Sequence, residues 1–301
     1  MISYAPIALF VYNRLAHVKS ITEAIKKNSI SKKSKIYIFS DFSNSKIEQN
    51  KVKKIRKYLS NLKGFKKIEI IERKYNYGTS KNIVSGLNQI FKTYSKCIVI
   101  EDDVLISKNF LSTMNYFLKK YENSKNIASI EGFMYPVRFR KGTPKFFFIK
   151  GSGCWGWATW RNSWNINEES VKKLINKFRK NKKLIHEFNY YGSYPYYKML
   201  EKQLTSNNSW SIKWAAGNFL KNKYTIYFKN SLVKNIGLDG SGENCKIDYN
   251  LNQKKFKIEN IKVKNNKIIK HNLNAKYDIS NYLRSKFTLF NKIKLILQKL
   301  L

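Results

Sequence analysis

The sequence predicts an α/β fold, a mostly parallel central sheet flanked by helices, with a more elaborate C-terminal half. Two observations carry it. Over the first 130 residues, short apolar runs alternate with amphipathic, basic helical stretches, the signature of βαβ units. Each apolar run also ends in polar or charged residues, as it would if several strands opened onto one rim.

In order, "PIALFVYN" (6–13) reads as a strand and 16–28 as a helix; "KIYIFSD" (35–41) is a second strand, followed by a very basic helix over 45–62. "KKIEIIER" (66–73) is the third strand, and 79–94 is a helix with Ile83, Leu87, Ile90 and Phe91 on one face. "CIVIEDD" (97–103) is the fourth strand. Beyond residue 131 the pattern loosens. "FFFIKGSGCWGWATWRNSW" (146–164) is dense in glycine and tryptophan, 168–204 is helical, and 210–220 is a short aromatic helix. "YTIYF" (224–228) is a strand, "NIGLDGSGENC" (235–245) a glycine-rich loop and 253–271 a basic strand-like segment. With no repeats and no evident linker, residues 1–283 are expected to form one domain. Its halves would be 1–130 and 131–283.

The chain has 301 residues, 43% of them hydrophobic and 15% aromatic, which is ample for a globular core. Its formal charge of +40 invites a nucleic-acid or membrane partner. However, the lysines are scattered with no arginine-rich tract, and Lys, Asn, Ile, Tyr and Phe are all residues with A- and T-rich codons. A compositional origin covers the charge, and a nucleic-acid partner is not expected. The odd set of Cys97, Cys154 and Cys245 has no CxxC pair, and "MISYAPIALFVYNR" lacks a signal-peptide cleavage pattern, so a reducing cytoplasm is expected. His17, His186 and His271 have no metal-ligand spacing, and no apolar run approaches the roughly 20 residues that span a bilayer.

The predicted strand ends deliver Asn13-Arg14, Asp41, Tyr75-Asn76-Tyr77-Gly78 and the triplet Glu101-Asp102-Asp103 to one rim. Three adjacent acids are costly to bury unless a cation joins them. Mg²⁺ or Mn²⁺, hard ions that prefer carboxylate oxygen and keep waters or substrate phosphates as further ligands, suit that role. In an extended chain Glu101 and Asp103 point one way and Asp102 the other. The plainer alternative is an acidic loop before the next helix, capped by Ser107 or Asn109.

With "VYNR", "SD", "NYG", "EDDVLISKNF", "GWATW" and "NIGLDGSG" in this order, residues 6 to 245 resemble GT-A-fold glycosyltransferases, and more narrowly N-acetylglucosaminyltransferase I and related bacterial transferases. The resemblance implies a metal-dependent, inverting enzyme that takes a UDP-sugar donor and a glycan or lipid-linked glycan acceptor of a bacterial surface polymer such as lipopolysaccharide or capsule. It implies that Arg14 and Asp41 contact uracil, that Asn76 and Gly78 close on the nucleotide, and that Asp102 contacts the ribose. Asp103 would bind Mn²⁺ or Mg²⁺ directly, and Glu101 would grip the donor sugar. Trp155, Gly156 and Trp157 would lie against donor sugar and acceptor, with Trp160 and Trp164 structural.

Two positions depart from that pattern. An inverting transferase needs a carboxylate to take the acceptor proton, and the family's position is Asn208 here. The family's loop histidine is replaced by Asn244, beside Glu243. Glu243 and Asp239 are the replacement bases expected from the loop, with Glu131 and Glu201 as further acids; a catalytically silent binder of nucleotide-sugar or glycan is the rival reading. Finally, residues 284–301 place Phe290, Ile293, Leu297 and Leu300 on one face of a basic amphipathic helix. It would either bind the anionic inner face of the cytoplasmic membrane or pack on its own domain.

Overall fold

The computed structural model describes residues 4–164, 166, 168–206, 209–239 and 270–299, with side chains in the last stretch given to residue 286. Asn208, Glu243, Asn244, most of the strand expected at 253–271 and the apolar face from Phe290 to Leu300 lie outside these residues and side chains.

The N-terminal half follows the expected alternation closely. β1 (Ile7–Val11), α1 (Leu15–Lys26), β2 (Lys35–Ser40), α2 (Lys46–Ser60), β3 (Lys67–Glu72), α3 (Gly78–Thr93) and β4 (Lys96–Glu101) succeed one another. β5 (Val104–Ile106), α4 (Phe110–Lys120), β6 (Ile127–Glu131), β7 (Phe146–Lys150) and β8 (Trp157–Trp160) come next. The single helical stretch expected at 168–204 is three helices, α5 (Val171–Arg179), α6 (Lys182–Phe188) and α7 (Tyr196–Lys202). They are followed by α8 (Trp210–Leu220), β9 (Tyr224–Phe228), β10 (Val233–Asn235) and α9 (Leu273–Lys299).

Eight strands form one sheet in the order β3-β2-β1-β4-β8-β6-β9-β7, and β5 pairs with β10 in a separate ribbon. The first four strands are parallel, as the βαβ pattern requires. The sheet beyond β4 is mixed: β8 runs antiparallel to both β4 and β6, and β7 antiparallel to β9, while β6 and β9 are parallel.

Strand alternation sorts the core into two faces. Ile7, Leu9 and Val11 of β1, with Ile98 and Ile100 of β4, pack under α1, α2 and α4. Ala8 and Phe10, with Cys97 and Val99, pack under α3 and α8. Gly86 lets α3 lie close on the sheet: a Cβ there would fall 2.7 Å from the Phe10 ring. A smaller core joins α5 to α8 through Phe178, Phe188, Leu200 and Phe219.

Two local expectations change. Neither the Ser107 nor the Asn109 side chain caps the start of α4. Asn28, which follows α1, accepts from the Leu111 N–H at 3.0 Å and donates to the Ser107 carbonyl at 3.1 Å. The C-terminal helix begins at Leu273 rather than 284, with Asn272 accepting from the Ala275 N–H. Its Ala275, Ile279 and Leu283, spaced four apart, pack on Phe147 and Ile149 of β7. The described part of this helix therefore belongs to the domain, and the expected boundary at 283 falls inside one continuous helix.

Trp157 is fully buried among Trp164, Trp210 and Trp214, with ring centroids 5.9, 5.3 and 4.7 Å away. Trp157→Ala should lower unfolding stability by roughly 3–5 kcal/mol. Urea denaturation followed by circular dichroism measures this; a near-neutral result would contradict the packing described.

Candidate functional site

The parallel block brings the carboxyl ends of β1, β2 and β4 together. Residues just past those ends, with the turn before α3, line one cleft of about 560 Å³. Arg14, Asp41, Asn76, Gly78 and all three acids of the triplet reach it, together with Trp155. Sheet order explains the convergence: Val11 lies beside Ser40 and Phe10 beside Glu101 in register, so Arg14, Asp41 and Asp102 leave neighbouring strands at the same level.

Within the triplet, the expected strand alternation does not continue. β4 stops at Glu101, and Asp102 and Asp103 occupy a turn. One guanidinium then serves both: Arg14 Nη2 lies 2.5 Å from Asp102 Oδ1 and 3.0 Å from Asp103 Oδ2. Asp102 also accepts the Tyr12 N–H at 3.1 Å. Burial opposes the Arg14 charge, but the two aspartates outweigh it and raise its pKa. Asp102 is pushed up by burial, with Arg14 pulling the other way. Glu101 is pushed well up, by burial first and then by Asp103 and Asp102. Among the described residues Arg14 is the cation in direct contact with the triplet, so the cluster retains an unmet demand for positive charge.

Asp41 and Asn76 shape the other end. Asp41 is buried, and its Oδ1 accepts from the N–H groups of Phe42 and Tyr77, each at 2.9 Å. That ties the end of β2 to the turn before α3. Asn76 Oδ1 accepts the Gly78 N–H at 2.7 Å, and Gly78 adopts φ +69°, a left-handed turn suited to glycine.

The loop after β10 closes over the acids. Ile236 donates its N–H to the Asp103 carbonyl at 2.7 Å, and a Cβ on Gly237 would stand 2.5 Å from Asp103 Oδ2 and 2.9 Å from Arg14 Nη1. Sequence reading marked this loop as glycine-rich but did not connect Gly237 with Asp103. Glycine followed by turn residues after a short strand was the available signal.

Other expected residues fall elsewhere. Trp157 does not reach the cleft, because strand alternation turns it into the tryptophan cluster. Gly156 serves packing: at φ +64° its carbonyl accepts the Gly132 N–H at 2.8 Å, and a Cβ would meet Val233. Asp239 lies outside the cleft lining and pairs with His17 Nε2 at 3.3 Å. Glu201 sits 3.5 Å from Arg179 on the surface. A second cavity, invisible in the sequence because its walls come from six separate segments, adjoins the first through Cys154, Trp155, Met199 and Ser211.

A hard divalent ion fits the chemistry of the triplet, which offers carboxylate oxygens short of positive charge. Among the described residues no group of three or more His, Cys, Asp or Glu side chains could hold a metal by itself. Such an ion would depend on Asp103 with substrate phosphate and water, as Mg²⁺ commonly does.

No family model and no curated protein match the chain. Solved structures with partial similarity include TarS of S. aureus, at 18% identity, TM-score 0.32, over 46% of this chain and 23% of that one. A mannosyltransferase of Pyrobaculum calidifontis, in complex with GDP-Man and Mn²⁺, has 13% identity and TM-score 0.31 over 44% of this chain and 37% of that one. A UDP-glucose pyrophosphorylase complexed with UDP-glucose has 13% identity and TM-score 0.39 over 77% and 94%. The chain thus spans well under half the length of the first two. Likenesses this distant carry no argument about chemistry, which rests on the residues of this chain. No described helix is long and apolar enough to cross a membrane.

Asp41→Ala strands the Phe42 and Tyr77 N–H groups and should cost roughly 1–3 kcal/mol, whereas Asp41→Asn keeps an acceptor oxygen and most of the stability. Thermal denaturation of both variants distinguishes them; equal losses would mean the two hydrogen bonds do not hold the turn.

Proposed function

We propose that this chain is a metal-dependent, inverting glycosyltransferase that moves a sugar from a UDP-sugar to a bacterial surface-glycan acceptor, such as a lipopolysaccharide or capsule precursor. The observation that carries the proposal is the convergence of Arg14, Asp41, Asn76 and Glu101-Asp102-Asp103 on one cleft at the carboxyl ends of parallel strands. Nucleotides bind at that edge of open α/β sheets.

In this arrangement Asp41 and the Asn76–Gly78 turn flank the base end of the donor, and Asp102 lies where ribose hydroxyls can donate to it. Arg14 balances Asp102 and Asp103 while the cleft is without other cations. Asp103 would hold Mn²⁺ or Mg²⁺, whose contribution when bound is to neutralise the diphosphate leaving group. Glu101 hydrogen-bonds donor-sugar hydroxyls through its carboxyl oxygens. The half-buried Trp155 offers an indole face to the sugar. Work at the inner face of the cytoplasmic membrane would suit a lipid-linked acceptor and the basic C-terminal helix.

Binding without transfer is the second reading, and Asn208 at the family's base position favours it. UDP release in the presence of acceptor extract separates the two, since a silent binder takes up the donor without turnover.

A thermal-shift panel of UDP-sugars with Mn²⁺ should raise Tm by about 2–3 °C at tenfold excess over Kd. Asp103→Ala should lose the Mn²⁺-dependent part of that shift. No response of the wild type to any nucleotide-sugar, or an identical response of Asp103→Ala, defeats the proposal.

A further inference from the structure

The second cavity, about 240 Å³, adjoins the cleft and is walled by Tyr135, Tyr190, Tyr194, Tyr196 and Tyr227. Ring faces on several sides suit the apolar faces of a pyranose, and the volume suits one sugar ring rather than a chain. Its deeper end offers hydrogen-bonding charge. Lys276, 1% exposed, donates to the Glu187 carbonyl at 2.9 Å and lies 3.6 Å from Glu187 Oε1, with Lys150 3.8 Å from the same oxygen. Burial pushes the Lys276 pKa down to about 8, leaving it mostly charged at neutral pH.

Glu131 stands in the wall of this cavity, at the end of β6, and is 2% exposed. Its Oε1 accepts the N–H groups of Trp155 at 3.1 Å and Phe133 at 3.3 Å, which fixes the carboxyl plane. Its Oε2 is buried and has no hydrogen-bond partner among the described residues. Gly153 makes room for that oxygen, because a Cβ at 153 would collide with Oε2. Leaving a carboxyl oxygen buried and unpaired is costly in a fold that needed only packing there.

The position relative to the acids is also informative. Glu131 is in register with Trp157 of β8, and Trp157 with Val99 of β4, two residues before Glu101. Two strand spacings, about 10 Å, therefore separate Glu131 from Val99, and the triplet starts two residues, roughly 7 Å, further along β4. Trp155, which binds Glu131 through its N–H, lines both the cleft and the cavity. A donor sugar lying between the triplet and Trp155 would face an acceptor ring in the cavity, with Glu131 beside it.

We infer that the tyrosine-walled cavity holds the acceptor sugar and that Glu131 Oε2 takes the proton from its attacking hydroxyl. The inference rests on the transferase function proposed above. The acceptor oxygen bonds to the donor's anomeric carbon as the anomeric C–O bond to UDP breaks. UDP leaves with that electron pair, and the hydroxyl proton passes to the Glu131 carboxylate. The groups around Glu131 are the two N–H donors, Glu101 from β4, and Tyr190 and Tyr227 from the cavity wall. Burial raises its pKa well above the usual glutamate range; the two N–H groups oppose this and Glu101 adds to it. The carboxylate fraction grows as pH rises through that elevated pKa, so base-dependent turnover rises with pH in the same window.

The test uses the full chain with UDP-sugar and Mn²⁺, reading UDP release into water and in the presence of p-nitrophenyl hexosides. Glu131→Gln should keep the donor-induced Tm shift, slow UDP release at least about tenfold, and lose the rising pH limb. Ala215 of α8 lines the cavity, and Ala215→Phe fills it. This variant should keep the donor shift while abolishing acceleration by hexosides. Wild-type rates in Glu131→Gln exclude Glu131 as the base. Hexosides that never accelerate the wild type, or still accelerate Ala215→Phe, exclude the cavity as acceptor site. Donor binding with no UDP release by the wild type refutes the catalytic inference alone, whereas absence of donor binding refutes the transferase proposal itself.

Discussion

The shared guanidinium of Arg14 is the interaction on which the candidate site depends. Asp102 and Asp103 sit in one tight turn at the end of a buried strand, and both reach the same nitrogen. Without that cation two carboxylates would be left together in a poorly solvated place, a cost of several kcal/mol in comparable buried pairs. The pairing also fixes geography. Arg14 leaves β1 and the aspartates leave β4, so the ion pair locks the ends of two adjacent parallel strands at one height. The Gly237 loop then closes on the pair because glycine allows its backbone to approach.

This arrangement accounts for the contrast between a chain of formal charge +40 and a cleft lined by acids. Lysines distributed over a surface create a broad positive field, which favours the approach of an anionic ligand such as a nucleotide diphosphate. They do not hold it. In the function proposed above, retention falls to the rim, where a cation must offset Asp102, Asp103 and Glu101. A diphosphate arriving with a divalent ion matches that demand, whereas a diphosphate alone would meet repulsion.

The N-terminal half was legible because local pattern and tertiary structure say the same thing there. Strands buried on both faces read as unbroken apolar runs, and their right-handed crossovers leave little topological freedom. The acids, Arg14, Asp41 and Asn76 could therefore be placed from strand ends alone. Beyond β4 the sheet mixes directions, and a tryptophan motif cannot reveal which indole points to solvent. Alternation sends Trp157 into the core, while Trp155, two residues before the strand, stays at the cleft. Glu131 was noted among several acids, but its burial and its open oxygen follow from Gly153 and Trp155, more than twenty residues away. The clamp of Asn28 on α4 spans a far longer gap, 79 residues to Ser107 and 83 to Leu111, and is equally out of reach.

Under the inference drawn above, Glu131 takes the place of the amide that stands at the expected base position. A general base is defined by where its oxygen can stand and by its proton affinity, not by which loop carries it. A loop aspartate reaches the acceptor from outside the sheet and is positioned by the loop's conformation. A glutamate at the end of β6 is positioned by the sheet itself, with one oxygen tied to two backbone N–H groups and the other free. Rigid placement at a strand end lowers the entropy cost of orientation and excludes water, which raises the proton affinity of the carboxylate. The same burial opposes the carboxylate form. A base so placed exchanges availability for strength, and Glu101, on the neighbouring donor side, shifts that balance further by adding negative charge nearby.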